Sequence, residues 1–349
     1  MLQVVRDSFK DLPPEVTDII LKSWRSSTHT QYASYIKQWI DFCKDQDNDP
    51  YRTNIPCVLS FLHLLFVNGK SYSTLNTARS ALSAFVVLDD SNVNLGSHPL
   101  VSRFLKGTFN LKPPVPRYKQ IWDARVVLNL LRSWGQAENL TLKKITLKLC
   151  ILLALLGATR TQLLKALRVD KLEISKSKAT FRVDDLMKTD RPGKATGHEL
   201  SFSAYPVDIR LCVVDTLRHY LDLTQQLRNG NMQLFLSVKE PYSPVSKDTI
   251  ARWIRQILAI AGIDVSVFKA HSVRSASVSA ASAFVPVADI MNRAGWSQEK
   301  TFSTYYNKPI NEINNRYFRS QMNFCNYICM PCLSILLNYF CLVTSLTPN

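Results

Sequence analysis

The chain has 349 residues, 46% of them apolar and 20% charged, a balance that excludes a wholly disordered or fibrous protein and leaves room for two domains with real cores. Lys and Arg outnumber Asp and Glu by 43 to 27, and a formal charge of +16 points to an acidic partner, nucleic acid first, with a simple solubility charge as the alternative. Of the eight cysteines, the first four (Cys43, Cys57, Cys150, Cys212) stand singly in apolar helical patterns, as reduced buried thiols do. The opening stretch MLQVVRDSFKDLPPEV is charged throughout and has no apolar core, so an intracellular protein without a signal peptide is expected.

The first hundred residues read as helices. In STHTQYASYIKQWIDFCKD, Tyr32, Tyr35, Ile36, Trp39 and Phe42 recur at spacings of three and four, with Thr28 or Thr30 as the expected N-cap. IPCVLSFLHLLFVNG follows and closes at Gly69; SYSTLNTARSALSAFVVL then opens on Ser71 or Ser73; PLVSRFLKGTFNL is a further helix. Three prolines in four positions (113, 114, 116) cannot sit inside a helix, so KPPVPRYKQ reads as an extended linker and the domain boundary.

Beyond the linker, DARVVLNLLRSWG and the segment containing 145–156 read as helices, the second apolar on every side and therefore buried. KLEISKSKATFRVDDLMKTDRPGKATGHELSFSAYP alternates apolar and polar residues around a turn-rich break, the pattern of a small antiparallel sheet. Helical texture returns over 208–222, 247–262, 271–283 and 286–306. The expected fold is mainly α in two domains: a helical domain over 14–111, a linker over 112–121, and a mixed α+β domain with a small antiparallel sheet over 122–318. Residues 319–349 form an apolar tail apart from this pattern.

Several polar residues interrupt the second domain. Arg160 follows a glycine at the end of the buried helix, in GATR; Lys188 sits beside the turn in LMKTDRPG; His271 and Arg274, three apart in HSVR, share one helix face. Trp296 and the adjacent Tyr305 and Tyr306 complete the set, in AGWSQEKTFSTYYNKP. Taken singly, each has a plain structural role: a cap, a hairpin lysine, a solvated pair, a packed aromatic. Together they are the groups needed to break a phosphodiester covalently without a metal. Two arginines can hold the oxygens of one phosphate in bidentate contacts. A tyrosine hydroxyl, which ionises near pH about 10, needs cationic donors before it attacks, and a lysine and a histidine can move the protons.

In order and spacing these residues resemble the tyrosine recombinases, the phage integrases and the recombinases of mobile elements, over residues 24–318. The context GWSQEKTFSTYYNKPI is most similar to the eukaryotic transposon-derived branch, the Crypton and DIRS-type integrases. The resemblance implies a helical SAM-like core-binding domain before the linker and a catalytic domain after it. It implies that Arg160 and Arg274 grip the scissile phosphate, that Lys188 protonates the leaving 5′ oxygen, and that His271 assists proton transfer. Trp296 would donate its indole N–H to a phosphate oxygen, and a tyrosine would form a 3′-phosphotyrosyl intermediate that needs neither metal, cofactor nor ATP. Tyr305 and Tyr306 lie nine and ten residues after Trp296. Adjacent helical residues project about 100° apart, so one of them faces the phosphate; the YNKP context favours Tyr306, with Tyr305 as the alternative.

Double-stranded DNA is the implied partner, bound by a homo-oligomer, in the nucleus or elsewhere inside the cell. Candidate phosphate contacts are Arg79, Arg103, Lys106, Arg117 and Lys119 around the linker, and Lys143, Lys144 and Arg252 in the second domain. Two features depart from the family. Relatives often carry an acidic residue three positions after the first arginine, where this chain has Leu163. The tail holds a 19-residue uncharged stretch, 328–346, for which a membrane span, a docking helix and an artefactual extension compete, the last being favoured. A zinc site from Cys325, Cys329, Cys332 and Cys341 is disfavoured by the apolar surroundings and the absence of histidine. The expected function is site-specific DNA recombination or integration; the alternatives are a catalytically silent, domesticated DNA-binding protein and a type IB topoisomerase-like enzyme.

Overall fold

The computed structural model describes residues 2–185, 190, 197–282, 284–296 and 299–310, with the backbone alone at 2, 293, 300, 301 and 305. The chain divides into two compact units between Val115 and Pro116, within the proline-rich stretch. Among the described residues, no helix is long and apolar enough to cross a membrane. Lys188 and the whole 319–349 tail, with its four cysteines, lie outside the described residues.

The first unit holds α1 (Leu2–Asp7), α2 (Pro14–Lys22), α3 (Ser26–Asp45), α4 (Ile55–Val67), α5 (Tyr72–Leu82) and α6 (Pro99–Leu111). Its core is the apolar stripe the spacing predicts: Ile36, Trp39 and Cys43 of α3 pack with Phe61 and Leu62 of α4, Leu75 and Leu82 of α5, and Val101 and Leu105 of α6. Trp39 buries its ring edge-on to Phe61 at 5.3 Å and donates its indole N–H to the Pro50 carbonyl at 2.9 Å, which satisfies the one polar atom of that side chain. Ser71 caps α5, accepting from the Thr74 N–H at 3.3 Å.

Two local expectations change. The third helix begins at Ser26, before Thr28, and Thr30 bonds back to the Ser26 carbonyl at 3.1 Å inside the helix, so neither threonine is its cap. The helix after Ser71 stops at Leu82, and Val87–Leu88 instead forms a short strand, β2, paired in parallel with β1 (Arg52–Thr53). β-branched Val87, directly after Val86, suits that extended pairing better than a helix end.

The second unit is built around α8 (Leu142–Leu156), in which every residue from Ile145 to Leu156 is buried. Around it lie α7 (Ala124–Ser133), α9 (Thr161–Ala166), α10 (Val213–Thr224), α11 (Lys247–Ile260), α12 (Ser272–Ala281), α13 (Val287–Ala294) and α14 (Glu299–Tyr305). An antiparallel sheet of β3 (Leu172–Ile174), β4 (Lys178–Val183) and β5 (His198–Ser203), in the order β3-β4-β5, turns Phe181, Leu200 and Phe202 into the same core. The fold is thus mainly helical with a small antiparallel sheet, as expected. Lys148 of α8 is fully buried, and its ammonium donates to the Gly135 carbonyl at 2.7 Å.

The sequence pattern runs unbroken from 286 to 306, but the structure splits it. Gly295 takes the left-handed conformation (φ 68°, ψ 44°) at the end of α13, a conformation that favours glycine, and the Gly295 and Trp296 N–H groups return to the Asn292 and Met291 carbonyls. The chain therefore leaves α13 sharply at Trp296 and re-enters a helix, α14, that ends at Tyr305.

Candidate functional site

The start of α12 delivers two residues of the predicted set, and the ends of α13 and α14 deliver one each. His271 is the residue at the N-terminus of α12, exposed to solvent, and Arg274 lies in its first turn, 2% exposed. Trp296 follows the glycine stop of α13, and Tyr306 follows the last residue of α14. The Tyr306 hydroxyl is 3.1 Å from His271 Nε2, and the two rings meet edge-on at 5.6 Å. Tyr306 also packs on Trp296, with ring centroids 4.4 Å apart.

Arg274 is the centre of the arrangement. Its guanidinium carbon lies 4.2 Å from the centroid of the Trp296 ring and 5.5 Å from that of Tyr306. One terminal nitrogen donates to the Ala158 carbonyl at 2.8 Å, and the other donates to the Ala294 carbonyl. Both carbonyls sit at helix exits. Ala158 has a positive φ of 45° in the turn after α8, and a Cβ on the preceding Gly157 would lie 2.7 Å from Thr159 and 2.8 Å from the Leu153 carbonyl, so GATR needs its glycine. That turn places Arg160 as the residue that opens α9.

Burial pushes the Arg274 guanidinium below the usual arginine range, and the neighbouring charge of Arg160 pushes the same way, while Tyr306 opposes them. With the charge of Arg160 near enough to act on it, the buried Arg274 guanidinium favours an anion beside it. Arg274 Nε and the Trp296 indole N–H are buried donors without a partner among the described residues. Buried donors are rarely left unpaired, and two beside one cation pair suggest a ligand that accepts hydrogen bonds.

Sequence reasoning brought together Arg160, His271, Arg274, Trp296 and Tyr306, and the structure gathers all five. Lys188 lies outside the described residues, between β4 and β5, and Tyr305 is described by its backbone alone. Leu163, in place of an acidic residue, is half-buried and packs against the main core. Sequence reasoning missed the hydrogen bonds that fix the site. Trp122 donates its indole N–H to the Ser272 hydroxyl at 2.9 Å, the Tyr118 hydroxyl accepts from the Lys269 N–H at 3.3 Å, and the Ile121 N–H reaches the Pro309 carbonyl at 2.9 Å. Each of these bonds spans 150 positions or more, and no local pattern announces them.

Of the candidate phosphate contacts, Arg103 and Lys106 on α6, Arg117, Lys119, Lys143, Lys144 and Arg252 are exposed. Arg252 donates to the Thr249 hydroxyl at 2.9 Å. Arg79 differs: it is half-buried, and it donates inward to the Gly96 carbonyl at 2.5 Å, a structural role within the first unit.

No curated protein matches the chain. Its fold is similar to that of a XerH site-specific recombinase bound to palindromic difH substrate in a post-cleavage complex, at TM-score 0.50 and 13% identity over 77% of this chain and 71% of that one. It is also similar to residues 75–356 of lambda integrase, solved as a dimer bound to a COC′ core site, at TM-score 0.51 and 15% identity over 84% of this chain and 93% of that one. The family model described as the phage integrase family matches residues 130–312, just over half of the chain, and that span contains Arg160, His271, Arg274, Trp296 and Tyr306. The chain belongs to the phage integrase family.

Proposed function

We propose that this protein is a site-specific DNA recombinase that cuts and rejoins strands through a phosphotyrosine formed on Tyr306. The observation that carries the reading is the 3.1 Å contact between the Tyr306 hydroxyl and His271 Nε2, set against the buried Arg274. A histidine in hydrogen-bond reach can take the phenolic proton as the oxygen attacks. The new P–O bond forms to Tyr306 Oη, the bond to the 5′ oxygen breaks, and that oxygen leaves with a proton from Lys188. Arg160 and Arg274 offset the charge that builds on the non-bridging oxygens, and the Trp296 N–H donates to one of them. Because the phosphotyrosyl bond keeps the energy of the bond it replaced, a 5′ hydroxyl from another strand can reverse the step without ATP, and the same residues run both directions.

Double-stranded DNA is the proposed substrate, bound by a homo-oligomer. The family membership and the fold shared with XerH recombinase and lambda integrase, both solved on DNA, support this reading. So do the net charge of +16 and the exposed Arg117 and Lys119 beside the prolines. In this scheme the 14–111 helices clasp the duplex, residues 112–121 cross it, and 122–318 carry the chemistry. The GWSQEKTFSTYYNKPI context supports a kinship with the transposon-derived Crypton and DIRS-type branch, with action in the nucleus or elsewhere inside the cell.

The test is a nicked suicide duplex, from which the short 5′ fragment diffuses after cleavage and traps the covalent adduct. An adduct that survives denaturing electrophoresis supports the reading. DNA binding without any adduct would identify a silent DNA-binding protein. Strand exchange between paired sites separates recombination from simple nicking and closing.

A further inference from the structure

Ser279 stands about two turns along α12 from His271, is 5% exposed, and has no part in the chemistry outlined above. Its hydroxyl donates to the Tyr306 carbonyl at 3.0 Å and accepts from the Lys308 N–H at 3.0 Å. Both bonds run to the backbone of the short segment that follows α14, one on each side of Asn307. A serine hydroxyl has one donor and two lone pairs, so this one group closes the turn that begins at the tyrosine. The segment is held from its other end as well: Ile121 donates to the Pro309 carbonyl and pairs with Ile310.

The helical hold on Tyr306 is slight, since α14 ends at Tyr305. What remains is the Tyr306 N–H bond to the Phe302 carbonyl at 2.9 Å, shared with the Asn307 N–H at 3.0 Å. A residue at a frayed helix end has freedom to rotate away, and the ring must nonetheless stay within 3.1 Å of His271. His271 and Ser279 belong to the same helix, so a bond from Ser279 to the Tyr306 carbonyl refers the tyrosine backbone to the frame that carries its proton acceptor.

We propose that Ser279 is a positioning residue for the nucleophile: its hydroxyl fixes the Tyr306 carbonyl and the Lys308 N–H, and so holds the Tyr306 ring at His271. This rests on Tyr306 being the nucleophile. Misplacement of a reacting atom by about 1 Å costs on the order of a hundredfold in rate, which sets the scale of the effect. Ser277, also buried on α12, is the natural control, because its hydroxyl bonds to the Leu155 carbonyl in the core rather than to the Tyr306 segment.

The experiment measures adduct formation on the suicide duplex under single-turnover conditions at saturating DNA, together with DNA affinity and thermal stability, for Ser279→Ala, Ser279→Thr and Ser277→Ala. The expected result is a rate at least about tenfold lower for Ser279→Ala with unchanged DNA affinity. Ser279→Thr, which keeps the hydroxyl, recovers most of that loss. Ser277→Ala loses stability but cleaves at the unaltered rate. Unaltered cleavage by Ser279→Ala overturns the inference, as does an equal rate loss in Ser277→Ala, which would mark a general effect of a missing buried hydroxyl. Absence of adduct with the unaltered protein removes the parent reading and this inference with it.

Discussion

The Arg274 guanidinium carbon lies over Trp296, 4.2 Å from the ring centroid, and its two terminal nitrogens reach carbonyls at two different helix exits, Ala158 and Ala294. One side chain thereby ties the GATR turn, 116 positions earlier, to the glycine stop before Trp296, 20 positions later. The planar fork of arginine is what makes this possible, since a lysine ammonium cannot span both carbonyls and stack on the indole.

The first prediction follows. Arg274→Lys keeps the charge but leaves at least one buried carbonyl without a donor. Stability should fall by about 1–3 kcal/mol, read by urea denaturation, and cleavage should fall by at least about a hundredfold. A variant within about 0.5 kcal/mol of the original would show that the carbonyl bonds matter little.

Trp296 gives the opposite signature. Among the described residues its indole N–H is buried without a partner, so Trp296→Phe keeps a ring beneath Arg274 and removes that donor. Stability should be unchanged or slightly higher, while the cleavage rate falls about tenfold to a hundredfold through loss of one donor to the phosphate. Parallel losses in melting temperature and rate would assign Trp296 a packing role instead.

Lys148 makes stability depend on pH. Burial pushes its ammonium from the usual 10.5 down to about 8, against the opposing pull of Asp215 and Asp208. The unfolded chain therefore binds this proton more tightly than the folded one. The cost of burying the charge is present in full below pH 8 and fades as pH rises towards 10.5, so this residue makes stability rise with pH across that window. Relative to Lys148→Met, the original protein should gain about 2 kcal/mol between pH 8 and pH 10. A pH-independent difference between the two would contradict the assignment.

Arg117 and Lys119 are exposed on either side of the buried Tyr118, just past the prolines. The double change to Ala should weaken DNA binding evenly across sequences, and the slope of log affinity against log salt should shrink by about 2. Titrations at several salt concentrations measure the slope directly. A loss confined to one target sequence would mean base reading rather than phosphate contact.

Much of the site was legible because it is built at helix ends that residue chemistry announces. HSVR puts two residues three apart on one face, GATR contains a glycine at a turn too crowded for a Cβ, and AGW sets Trp296 directly after a glycine. Where sequence reading failed, it did so for two physical reasons. Apolar periodicity over 286–306 is continuous, so the backbone break at Gly295 is invisible to it although the glycine itself is not. Likewise Val87–Leu88 looked like a helix end because pairing with Arg52–Thr53 is a non-local event. The bonds of Ser279, Trp122 and Ile121 join distant positions through hydroxyl, indole and backbone groups that are common everywhere in the chain.

The central claim is that Tyr306, not its neighbour Tyr305, attacks the phosphate. The most direct measurement is peptide mapping of the adduct trapped on the suicide duplex, with Tyr305→Phe and Tyr306→Phe run beside the unaltered protein. The account predicts nucleotide attached at Tyr306, no adduct from Tyr306→Phe, and cleavage retained by Tyr305→Phe. Nucleotide attached at Tyr305, with cleavage retained by Tyr306→Phe, would contradict it.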